Sequence, residues 1–140
     1  MMSTQIYKSV HDLAEQLMTA AKKEDRETFE SLYAKLQSIC IDNESSNKDH
    51  PVQWETLADF TEDLEDAVAG YAKALEKATA MNSKDYMSSI AFSMATLQLE
   101  LGLTDEAIKN LEAAKASSNK IEDKELKAEI HDLLTSLLEK

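Results

Sequence analysis

The strongest constraint on this chain is how little interrupts it: 140 residues contain only two glycines, Gly70 and Gly102, and one proline, Pro51. The abundant Ala, Leu, Glu and Lys lose little rotamer freedom in a helix, so an all-α protein is expected. With 43% hydrophobic residues the chain can form one domain over 1–140, burying about two thirds of its unfolded surface. Cys40 is the single cysteine, so no internal disulfide supports the fold. No stretch joins a basic start to a long apolar core, which argues against secretion and membrane insertion and makes the cytoplasm the expected compartment.

Apolar residues recur with helical period over 4–21, 25–41, 51–61, 64–80, 84–101, 104–117 and 122–139. The clearest break is "DNESSNKDHP", residues 42–51, where polar turn formers lead into Pro51, a favoured first-turn residue. Around residue 102 a tight helical hairpin is expected, with Gly102 ending one helix in the left-handed conformation and Thr104 capping the next. Asp63, Glu65 and Asp66 stand at another expected helix start, where negative charge suits the macrodipole.

Two hairpin halves superpose. "EDLEDAVAGYAKALEKA" (62–78) and "GLTDEAIKNLEAAKAS" (102–117) align Ala67, Tyr71 and Ala74 with Ala107, Leu111 and Ala114, an offset of 107 − 67 = 40 residues. A weaker copy, "EDRETFESLYAKLQ" (24–37), places Phe29, Tyr33 and Leu36 there, 38 residues earlier. A small residue at a helix crossing, followed by a large one a turn later, suits close packing, and a fixed period means stacked units.

In these residues the chain resembles the tetratricopeptide repeat family. Gly102, Ala107, Leu111 and Ala114 carry the likeness, with Met94 and Ala95 at the family's large and small packing pair. The second copy departs from it: Glu62 stands where the family has Gly, and Trp54 and Glu55 stand at the packing pair. The 38–40 residue spacing exceeds the usual ~34 and is similar to the variety with longer helices. The resemblance implies a right-handed α–α superhelix of about three hairpins: a degenerate repeat over 4–41, repeats over 51–80 and 84–117, and a capping helix over 122–139. Leu126, Ile130, Leu133, Leu134, Leu137 and Leu138 give that last segment one apolar stripe, which either closes the stack or joins two copies through 126–138 into a symmetric dimer.

The residue types needed for catalysis or metal binding are not grouped. His11, His50 and His131 fall in different segments, and no Glu-x-x-His or His-Glu-x-x-His pattern occurs. His11 and Glu15 share a helix face, but one imidazole and one carboxylate make a weak metal site. Neither glycine belongs to a phosphate loop or a nucleophile elbow. Cys40 follows Leu36 and Ile39 on an apolar face and reads as a buried small hydrophobe. No enzyme activity and no cofactor are expected.

Binding by shape remains. In the resembled family the first helix of each pair lines a concave groove that holds a segment of another protein. Carried over, the groove residues are His11, Ala14, Met18, Thr56, Asp59, Phe60, Ser89, Phe92, Ser93, Thr96 and Glu100. Ala14, Met18, Thr56, Phe92, Ser93 and Thr96 differ from the Lys, Asn and Arg with which some members clamp a C-terminal carboxylate, so that ligand is disfavoured. The formal charge of −12 disfavours nucleic acid, which needs clustered cations. The expected partner is a peptide or amphipathic helix, neutral or basic on its polar side, with Phe92 as an anchor or as packing between repeats. Two further readings are a small acidic chaperone for an apolar client and a structural homo-oligomer.

Overall fold

The computed structural model describes residues 4–139, which form seven helices: α1 (Thr4–Lys22), α2 (Arg26–Asn43), α3 (Pro51–Asp59), α4 (Leu64–Ala80), α5 (Lys84–Glu100), α6 (Thr104–Ser118) and α7 (Lys124–Leu138). The described residues contain no strand. Helix starts follow local chemistry. Asp25, Asp63 and Asp123 accept hydrogen bonds from the backbone N–H groups of Thr28 (3.2 Å), Asp66 (3.0 Å) and Leu126 (3.0 Å). Each satisfies a donor that has no partner within its helix. At α3 the cap is His50, whose Nδ1 accepts from the N–H of Val52 (3.1 Å) ahead of Pro51 in the first turn. Thr104 corrects the sequence reading: it is the first residue of α6, and Leu103 occupies the cap position without a side-chain acceptor.

The turns before α2, α5 and α6 each place one residue in the left-handed region: Glu24 (φ 55°), Asn82 (φ 55°) and Gly102 (φ 78°). A Cβ on Gly102 would meet nothing within 4 Å, so the glycine is needed for its backbone conformation and not for space. Gly102→Ala is therefore expected to lower stability by about 1 kcal/mol in urea unfolding, from backbone strain alone.

Consecutive helices pack on one another, and α1 also meets α3 as α3 meets α5. The largest core cluster runs from α1 to α5 and includes Leu17, Leu36, Trp54, Tyr71 and Ile90. Two smaller clusters join α5, α6 and α7 through Ala91, Ala95, Ala107, Leu111, Ala114, Ile130 and Leu134. Alanines at the crossings let backbones approach closely. At the α3–α4 contact Gly70 is the small residue, and a Cβ there would lie 3.2 Å from the Cβ of Ala58. In α7, Ile130 and Leu134 are buried, Leu126, Leu133 and Leu137 are partly covered, and Leu138 remains 61% exposed.

The loop between α2 and α3 is anchored by charge. Lys77 pairs with Asp49 (2.8 Å) and Glu44 (3.7 Å), and Lys73 pairs with Glu44. Lys73 also stands 4.5 Å from the ring centre of Trp54, whose indole N–H donates to Asp49 (2.9 Å). Below this loop Cys40 is fully buried and donates to the carbonyl of Gln53 (3.2 Å). Burial, reinforced by the charge of Asp49, pushes its thiol up to about 12, far from the range of a nucleophile.

Candidate functional site

Glu55 and Asp59 are four residues apart on α3 and so share a face, and their carboxyls reach α5 and α4 respectively. On α5, Ser89 and Ser93 have the same four-residue spacing. Ser89 Oγ donates to Glu55 Oε2 (3.0 Å), the Tyr71 hydroxyl from α4 donates to Asp59, and the Ser93 hydroxyl lies beside the Tyr71 phenol. Three helices thus contribute to one cluster of two acids and three hydroxyls.

Its electrostatics are unusual for an exposed helix face. Burial pushes Glu55 up to about 7, with the Ser89 bond opposing the shift and the charge of Asp59 adding to it. Asp59 is raised in the same direction by the protein packed around its carboxyl, which outweighs its bond from Tyr71, although the residue as a whole stays exposed and the effect is correspondingly weaker than at Glu55. Tyr71 is raised by burial and by its position against Asp59, and Tyr86 by burial and by nearby Glu55. Among the described residues, the hydrogen-bond partners of these two carboxyls are hydroxyls, and neither forms an ion pair.

Most of the other expected groove residues lie on α1, α3 and α5, and α3 meets both of the other two. On α1, His11, Ala14 and Met18 form a strip that Tyr7 extends, with Tyr7 50% and Met18 51% exposed. His11 is taken up by an exposed pair with Glu15 (3.0 Å). Thr56 on α3 is half-buried, and on α5 Thr96 is half-buried and donates only to the Ser93 carbonyl of its own helix (2.7 Å), while Glu100 is exposed.

Two expected residues are engaged elsewhere. Phe60 packs edge-on against Phe29 at 6.4 Å and lines a depression of about 300 Å³ with Arg26, Tyr33 and Thr61, towards α2. Phe92 is half-buried against both clusters that join α5 to α6 and α7, which is the packing role open to it from the sequence. Glu55 and Tyr71 were not among the expected groove residues: one stood at a packing position of the repeat pattern and the other at a core position. Arg26 holds Glu62 with both guanidinium arms at 2.8 Å, so that acid belongs to the α2–α4 side.

Among the described residues no three His, Cys, Asp or Glu side chains are grouped so as to hold a metal ion, and no helix is long and apolar enough to cross a membrane. Comparison with protein-family models, curated proteins and solved structures finds no match to this chain.

Proposed function

We propose that the chain is a non-catalytic protein-interaction module of tetratricopeptide-like architecture, which holds an amphipathic helix of a partner along the α1–α3–α5 face. The observation that carries this reading is the pair Glu55 and Asp59: two carboxyls one turn apart whose hydrogen-bond partners are hydroxyls and not cations, on the helix that both α1 and α5 meet. A Lys or Arg from the partner would supply the charge this cluster lacks, while the partner's apolar residues lie on Tyr7 and Met18. A like-charged carboxylate tail would be repelled, in keeping with the net charge of −12.

The test is affinity capture from native extract followed by titration of the captured segment. Thr56→Arg/Thr96→Arg is the informative variant, because both residues are only half-buried and the Thr96 side chain bonds within its own helix. The variant should keep its helical spectrum and lose about ten- to a hundredfold in affinity, with wild-type binding weakening as salt rises. Unchanged affinity in the variant would remove the groove from the mechanism. A client that stays soluble only when co-expressed, rather than a folded partner, would turn the reading towards a chaperone.

A further inference from the structure

Glu55 lies at a seam where two helices that are not neighbours in the chain meet, and its carboxyl spans that seam to Ser89 on α5. The groups around it share one electrostatic character. From α3 comes Asp59, one turn away; from α4, Tyr71; from α5, Tyr86 with Asp85 beyond it; and from α1, Tyr7, which faces Tyr86. These are carboxyls and phenols; the one imidazole nearby is His50, whose ring packs edge-on against Tyr86 at 5.1 Å and which burial keeps towards its neutral form. An ionised Glu55 therefore stands half-buried beside a second acid with one hydroxyl donor in compensation, whereas a protonated Glu55 keeps the Ser89 bond and carries no charge.

We propose that Glu55 is a proton-operated latch between α3 and α5, closed when its carboxyl is protonated and loosened when it ionises. The latch follows from the seam itself and holds whether or not the face binds a partner. Because burial places the titration at about 7, the change falls in the neutral range. The folded-state value lies above the ordinary 4.5, so the stabilising contribution is complete below about 4.5 and is lost as pH rises through about 7. His50 acts in the opposite sense: burial holds it below its ordinary 6.5, so its contribution is present above that value and is lost as pH falls.

The comparison of wild type with Glu55→Gln separates the two, since the amide keeps an acceptor for Ser89 and cannot ionise. Between about pH 6 and pH 8 the wild-type melting temperature should fall by about 4 °C relative to the variant. In parallel, the backbone amide resonances of Ser89 and Tyr86 in the wild-type protein should titrate together, with a midpoint near 7. An equal pH dependence in wild type and variant would overturn the latch. So would amides of Ser89 and Tyr86 that stay still across this range, a result that decides the matter even if Glu55→Gln fails to fold.

Discussion

Leu111→Ala is expected to lower the unfolding free energy by about 3–4 kcal/mol, read as an earlier urea midpoint with an unchanged slope. Leu111 is 0% exposed, and its core neighbours include Ala95, Ala107 and Leu134. Two of those three are alanines on helices already in close contact, so the neighbours have little side chain with which to fill the space that truncation opens. Against a typical total of about 5–15 kcal/mol, such a loss brings the chain near the limit of stability. A change under about 1 kcal/mol would mean that the α5–α6–α7 junction is not close-packed around this side chain.

The second large effect is expected from the loop. Asp49→Ala should cost about 2–4 kcal/mol, because Asp49 accepts from the Trp54 indole (2.9 Å) and the Ser45 N–H (2.9 Å) and pairs with Lys77 (2.8 Å). Its side chain is only 8% exposed, and that of Lys77 18%, so removing the acid leaves a shielded ammonium with Glu44 at 3.7 Å as its remaining ion partner. Burial would raise the carboxyl, but Lys77, Ser45 and Trp54 outweigh it and hold Asp49 below its ordinary 3.8. With the folded value depressed, the contribution is present above that ordinary value and is lost as pH falls through the folded one. Urea melts at neutral pH and at about pH 3 should therefore show a smaller gap between variant and wild type in acid. A gap that widens in acid would contradict this account.

The parts of this fold that were legible in the sequence are those with local causes. Asp63 announces a helix start because capping is decided within three residues, and Gly102 announces a turn because its φ of 78° suits no other residue as well. The 40-residue offset also had a physical counterpart: Ala67, Tyr71 and Ala74 are buried, and so are Ala107, Leu111 and Ala114. Residues whose partners come from distant segments were not legible. Glu55 looked like a poor match to a packing position; its character comes from Ser89, 34 residues away, and from the Asp59–Tyr71 pair beside it. The stretch 42–51 read as a plain polar loop because the lysines that hold it lie on α4. Phe92 had the right helix position for a groove, yet which of its edges is covered depends on where α7 docks.

The division of the core also bears on how the molecule fluctuates. Helix α5 contributes Ile90 and Met94 to the large cluster, Ala95 to the second and Ala91 to the third, so it borders every apolar compartment. Because α7 packs chiefly on α6 at the end of the stack, its amides should exchange with solvent early, while those of α5, held by every compartment, should be the last. A single rod shared by two semi-independent halves makes each half sensitive to the rigidity of the other.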